Sequence, residues 1–375
     1  MFSREQFIRD KENINIVTLG SHQHGKTWLA SHLSLLLSHQ NDGVSHRRME
    51  NIDQSASERE NRRSETVTHL ELWRTGSRYR FTLADLPGHI NYIKNMLSHL
   101  AHADVALLVV SPEHGVDDLT VLYYHLAAHL GVKLILPVIM MREDTDQETL
   151  DLINMDLSEL DNIADTVIIE PDNLVDLLED IETRVDNEAV IADRDINKPF
   201  FMALEQVGNI PSRGIFCAGR VLQGSMTVGA SSLEVFYQGR SSRVSVRDLE
   251  IFRRATDSLV AGDRGGAFLK PKQEIELKRG AVLYDPKLKL TASAEFEVSL
   301  RRVKKGKSSL KGEGVIFHST TSDGKVSVTG GDNLEISDDT DSLVKLKLSQ
   351  KILARSGDPV VLRNNHSFYK GFIVV

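Results

Sequence analysis

The feature that most constrains this chain is the run "INIVTLGSHQHGKTWLASHLSLLL", residues 14–37: an apolar strand, a glycine loop, then an apolar-rich helical pattern. Within it Gly20, four residues, Gly25, Lys26 and Thr27 have the spacing of a phosphate-cradling loop. Successive backbone amides of such a loop, ending at a helix N-terminus, form a concave anion site. Ser21, His22, Gln23 and His24 supply amides, Lys26 neutralises the outer phosphates, and the Thr27 hydroxyl ligates a divalent cation. The two histidines of "HQH" also invite a metal reading, but the phosphate loop explains their spacing better.

Such a loop demands a parallel sheet behind it. Residues 14–19, 79–85, 105–110 and 134–139 ("INIVTL", "YRFTLAD", "VALLVV", "LILPVI") read as strands, mostly without a polar face, as buried parallel strands do. Helical patterns lie between them and continue through "DQETLDLINMDLSELDNIA" and "NLVDLLEDIETRV". A doubly wound α/β P-loop nucleotide-binding domain over residues 1–190 is expected. Residues 41–66 are polar, charged and aperiodic, which reads as a mobile loop. "DRDINKPF" marks a linker at 191–198. From there the texture changes to short alternating segments with glycine turns, which predicts two small all-β barrel domains, 199–287 and 288–375.

A second nucleotide element stands at the end of the strand 79–85, in "ADLPGHINYIKNML". An open α/β sheet binds ligands at the carboxyl ends of its strands. There Asp85 can hold Mg2+ through water, Gly88 can offer its amide to a terminal phosphate, and His89 can position an attacking water.

Composition narrows the class. The formal net charge is -8, which disfavours a general nucleic-acid-coating role. The single cysteine, Cys217, excludes an intramolecular disulfide or a cysteine zinc cluster and suits a reducing compartment. No run of 18 apolar residues exists and "MFSREQFIRDKEN" is neither a signal nor a convincing transit peptide, so a cytoplasmic protein is expected, with the mitochondrial matrix as the alternative.

"NINIVTLGSHQHGKTWL", "ADLPGHINYIKNML" and "ADVALLVVSPEHGV" resemble the opening of elongation factor Tu, a translational GTPase. The resemblance continues through "KPFFMALEQVGNIPSRGIFCAGRVLQGSMTVG" and "EIFRRATDSLVAGDRGGAFL", and more faintly in "EFEVSL", "GVIFHSTT" and "GFIVV". It implies a GTP- and GDP-binding, Mg2+-dependent monomer that carries aminoacyl-tRNA to the ribosome, with a nucleotide-exchange factor as a further partner and no membrane. It also implies that Lys26 and the loop amides hold phosphates, Thr27 and Asp85 serve Mg2+, and His89 is the water-orienting histidine. In "RRSET" the resemblance offers Thr66 as the switch threonine over Mg2+, with Ser64 as the alternative register.

The departures from the family are specific. After "LILPVI" the family carries Asn-Lys-x-Asp, whose Asp accepts two hydrogen bonds from guanine; this chain reads Met140, Met141, Arg142, Glu143. Met141 can cover the base by dispersion, and Glu143 reaches guanine only if the loop absorbs an extra methylene. The later guanine loop is replaced by "IIEPDNL". Two hydrogen bonds to a charged group are worth about 3 to 6 kcal/mol together, so their loss weakens binding by roughly a hundred- to ten-thousandfold and erases most base preference. Trp28 replaces a second threonine and either packs under the sheet or narrows the site or stacks on a base. His22 replaces a small apolar gate residue. In the second domain Glu205 is retained against the terminal adenosine, whereas Gly208 replaces an aromatic and Arg264 an asparagine beside the aminoacyl pocket. His318 replaces an arginine facing the tRNA stem. The changes leave two readings: a divergent, weak or activator-dependent GTPase of translation elongation, or a non-hydrolysing paralogue that works as an RNA- or protein-binding module without guanine specificity.

Overall fold

The computed structural model describes residues 5–41, 44–52, 67–161, 163–170, 173–191, 194–211, 213–290, 292–303, 309–310, 315–319, 322–329, 334–336, 340–364 and 367–374. They fall into two compact units, residues 10–192 and residues 193–375 joined by the N-terminal residues up to Arg9.

The first unit is a six-stranded sheet. Its strands are β1 (Glu12–Leu19), β2 (Thr68–Trp73), β3 (Tyr79–Asp85), β4 (Val105–Val110), β5 (Leu134–Met140) and β6 (Val167–Ile169), in the order β2-β3-β1-β4-β5-β6. Only β2 runs antiparallel. β3 and β4 are buried along their whole length, which is why they lack alternation in the sequence. Helix α1 (Lys26–Gln40) and helix Leu174–Asn187 bury Leu29, Leu33, Leu37, Leu177 and Ile181 in one core with Ile14, Ile16, Phe81 and Leu83 of the sheet. The four strands expected from the sequence are present. β2 and β6 are additional, and one helix ends at Ser158 and the other begins at Leu174, with β6 between them.

The segment 41–66 is only partly a loop. Met49–Ile52 forms one helical turn, and Val44 and Ile52 are buried in the core beside α1. These isolated apolar residues anchor a stretch whose polar composition conceals them. Residues 53–66, with the switch candidates Ser64 and Thr66, lie outside the described residues.

The second unit contains two antiparallel barrels. In the first, Glu234–Tyr237, Val282–Tyr284, Phe201–Ile210, Gly214–Gln223, Arg264–Pro271 and Arg240–Ile251 follow one another, and Arg240–Ile251 pairs back with Glu234–Tyr237 to close the ring. The second closes through Ala292–Arg302, Ser342–Leu353, Asp323–Thr329, Ile316–Ser319, Pro359–Arg363 and Phe368–Ile373. The N-terminal residues join the first barrel, where the Phe7 amide donates to Ala255 O at 2.7 Å.

Candidate nucleotide site

Parallel pairing aligns the carboxyl ends of β1, β3, β4 and β5 on one edge, and the loops leaving them hold the chemistry-bearing residues. The loop after β1 turns at Gly20, whose φ is +134°; a Cβ there would lie 2.3 Å from Val109 O. Only glycine fits so close to β4. At the far end Gly25 takes a left-handed φ of 91° as the N-cap of α1, and no side chain caps the helix. The N-terminal turn of α1, at the end of a glycine loop, is the kind of helix end at which anions bind. Gln23 also has positive φ, 67°, and is exposed, while His22 is half-buried.

Lys26 is buried, and its ammonium donates to Ser21 O at 2.7 Å. Burial lowers it to about 8, against the opposing pull of Asp85 and Asp117. Gly88 rests on this arrangement. A Cβ at Gly88 would stand 2.3 Å from Lys26 Nζ and 2.7 Å from Gly20 O, so the loop after β3 touches the loop after β1 only because residue 88 has no side chain.

Asp85 is 1% exposed and accepts from two threonines, Thr18 Oγ1 at 2.7 Å and Thr27 Oγ1 at 2.8 Å. The Thr18 hydroxyl also accepts from Leu86 N at 3.1 Å, which fixes the chain as it leaves β3. Thr27 and Asp85 thus present adjacent hard oxygen donors, the type that Mg2+ takes. Thr18 was not singled out in the sequence, since a lone threonine inside a strand carries no signal.

His89 lies at the rim, half-buried, with Nδ1 accepting from Asn91 N at 3.2 Å. Its neutral ring then carries hydrogen on Nε2 and can donate there to a water. His24 points the other way. It is buried, its Nδ1 donates to Val109 O at 3.2 Å, and its ring stacks on His114 at 5.4 Å. Burial brings its pKa down to about 4, so it is a neutral packing residue of the loop. Trp28 packs against the core cluster and stacks on His32 at 3.8 Å, which places it with the core.

After β5 the geometry differs from a base-reading loop. Met140 packs partly into the core and its Cγ lies 3.5 Å from where a Cβ of Gly25 would be. The Met141 amide donates to Ile169 O at 2.9 Å. Arg142 bridges to Glu113 at 2.7 Å, while the Glu143 side chain is exposed. In the next loop Asn173 Oδ1 accepts from Glu170 N at 2.9 Å.

The tRNA-facing candidates lie in the second unit. Glu205 forms an ion pair with Arg264. A Cβ at Gly208 would meet open space. His318 is buried and its Nε2 accepts from Arg363 Nε at 3.1 Å, so it is a barrel-packing residue with its ring nitrogen engaged.

The model for the elongation factor Tu GTP-binding domain matches residues 11–250. Among solved structures, a bacterial selenocysteine-specific elongation factor is 19% identical with a TM-score of 0.76; the match covers 96% of this chain but 58% of that one, so the chain spans little more than half of that factor's length. Translation elongation factor SelB from Methanococcus maripaludis, in complex with the GTP analogue GppNHp, is 19% identical with a TM-score of 0.75, covering 98% and 80% of the two chains. The GTPase-like domain of Ski7 from S. cerevisiae, bound to GDP and inorganic phosphate, is 14% identical with a TM-score of 0.80, covering 97% of each. These likenesses concern the fold, whereas the family rests on the matched segment, which includes the phosphate loop, Asp85 and Gly88: the chain belongs to the elongation factor Tu family of translational GTPases as a divergent member.

Proposed function

We propose that the chain is a Mg2+-nucleotide-binding translation factor that holds phosphates through Gly20–Thr27 and Gly88 and discriminates weakly between bases. The observation that supports it best is the contact of Gly88 with Lys26 and the Gly20 carbonyl, beside the Thr27–Asp85 pair. Ser21, His22, Gln23, His24 and Gly25 contribute the amides of the cradle; Lys26 supplies charge to the outer phosphates. Thr27 and Asp85 would hold Mg2+, which when bound neutralises phosphate oxygens. His89, donating from Nε2, orients a water for attack on the terminal phosphate. Hydrolysis by this set is slow without an activator, because among the described residues no arginine is aimed by motif at the transferring phosphoryl group.

GTP-dependent delivery of aminoacyl-tRNA to the ribosome is the role that the family resemblance supports. A specific observation favours a second reading. Arg264 already occupies the carboxylate of Glu205, which favours a paralogue that keeps the phosphate site and works through other RNA or protein contacts. Calorimetric titration of the full chain with GTP, GDP and ADP in Mg2+, beside Lys26→Ala, tests the common core. Binding by the parent and its loss in Lys26→Ala are expected; equal binding by both would refute the phosphate-loop assignment.

A further inference from the structure

The two loops of the nucleotide site are tied to a third element that the mechanism above does not use, the helix Asp118–His129. Asp117 is its N-cap. One oxygen of its carboxylate accepts from Thr120 N at 2.8 Å, from Thr120 Oγ1 at 2.7 Å and from Ser21 Oγ at 2.7 Å. Burial pushes this carboxyl up, but the bonds from Ser21 and Thr120 outweigh it and leave it below the usual carboxylate range. The same Ser21 gives its carbonyl to Lys26 Nζ. Residue 21 is therefore held at both its side chain and its backbone.

One and a half turns further along this helix, Tyr123 is 1% exposed and its hydroxyl donates to Gly88 O at 3.0 Å. Burial raises its pKa, so the hydroxyl remains a donor throughout the physiological range. Gly88 has no side chain by which it could be held, and the atoms nearest its Cβ position are the Lys26 ammonium, the Gly20 carbonyl oxygen and the Ser21 carbonyl carbon. A hydrogen bond to its carbonyl is the way a neighbouring side chain can fix the plane of the Gly88–His89 peptide.

We infer that Asp117 and Tyr123 are positioning residues through which one helix sets both phosphate-binding loops, and that the Tyr123 hydroxyl determines the preference for a triphosphate over a diphosphate. The inference rests on the nucleotide reading above. Ser21 lies in the cradle that every bound nucleotide must use, whereas Gly88 meets only the terminal phosphate. The two ties consequently have separable effects. Loss of the bond from Ser21 to Asp117 weakens diphosphate and triphosphate alike. Loss of the bond from Tyr123 to Gly88 O frees the Gly88–His89 peptide, which directly follows the Pro87–Gly88 peptide whose N–H faces the terminal phosphate, and weakens the triphosphate alone.

The test uses the full chain with Mg2+, comparing the affinities of GppNHp and GDP in the parent, Tyr123→Phe and Ser21→Ala, with thermal melting of each. One buried hydrogen bond corresponds to about a fivefold change in affinity. Tyr123→Phe is expected to lower the GppNHp-to-GDP affinity ratio about fivefold with GDP binding retained. Ser21→Ala is expected to weaken both ligands by a similar factor and leave the ratio unchanged. A merely structural role for Tyr123 would shift melting without moving the ratio, and that result overturns the inference while leaving the nucleotide site in place. Binding of neither ligand by the parent overturns the nucleotide reading and this inference together.

Discussion

Arg264 and Glu205 face each other across the strand Gly214–Gln223 of the first barrel, and their side chains, 15% and 7% exposed, form an ion pair. A bulge between Leu204 and Gln206 turns Glu205 into this position. The pair changes the meaning of a residue that resemblance alone would assign to an adenosine, since its carboxylate already has a cationic partner.

Breaking such a pair from one side leaves a desolvated charge. Arg264→Ala is expected to lower the unfolding free energy by about 3 kcal/mol, whereas Arg264→Met combined with Glu205→Leu recovers most of it. Urea denaturation of these two variants beside the parent measures this. Because the carboxylate is occupied, Glu205→Gln should leave protection of an aminoacyl-tRNA ester against hydrolysis unchanged; diminished protection in that variant would put Glu205 in contact with the RNA.

On the proposed phosphate site, Lys26 should make phosphate binding depend on pH. Its folded value of about 8 lies below the ordinary 10.5, so between these values the unfolded chain holds the proton more tightly than the folded one. The destabilisation from burying the charge is complete below pH 8 and is relieved as pH rises towards 10.5. Phosphate affinity runs the opposite way, because a neutral amine offers no charge. Diphosphate binding should weaken as pH rises through about 8, and at pH 8.5 it should take up a proton, seen as a dependence of the calorimetric enthalpy on the buffer's ionisation enthalpy. No proton uptake would mean that Lys26 stays charged despite its burial.

On the proposed nucleotide reading, the loop after β5 is where base preference would be set. Met140 is engaged with the core and Glu143 points to solvent, so neither offers guanine the paired acceptor that the family uses. The ratio of GDP to ADP affinity should fall under about 100, and Met140→Asn with Glu143→Asp should raise it. A tight, selective GDP complex of the unaltered chain would show that other groups read the base.

How legible these features were depended on how local their signals are. β3 and β4 stand out because burial on both faces leaves unbroken apolar runs, and the phosphate loop because its glycines are spaced within eight residues. β2 alternates buried and half-buried residues directly after a charged stretch, which hides it, and β6 has three residues between two helices. The partners of Ser21 and Glu205 were not legible at all. Ser21 meets Asp117 across 96 positions and Glu205 meets Arg264 across a neighbouring strand, relations that only the register of the sheet and the closure of the barrel create. Trp28 shows the intermediate case: both packing and site narrowing were compatible with its place in the sequence, and the core contacts with the His32 stack decide for packing.

Hydrolysis is where the arrangement of His89 matters most. The Asn91 amide holds its Nδ1, which leaves Nε2–H as the group available to a water, so the ring can orient a nucleophile without first taking its proton. Phosphoryl transfer asks little more than this, together with charge against the developing transition state, and Lys26 and the Thr27–Asp85 pair are placed to assist with the latter. His89 is nevertheless only half-buried and its ring accepts a backbone hydrogen bond from Asn91, a loose hold that an activator pressing the ring inward would be expected to tighten. Intrinsic single-turnover hydrolysis should therefore be slow, rise in the presence of ribosomes, and fall at least a hundredfold in His89→Ala under the stimulated condition. Equal rates for parent and His89→Ala, with and without ribosomes, would remove His89 from the mechanism and shift the weight to a chain that binds nucleotide without hydrolysing it.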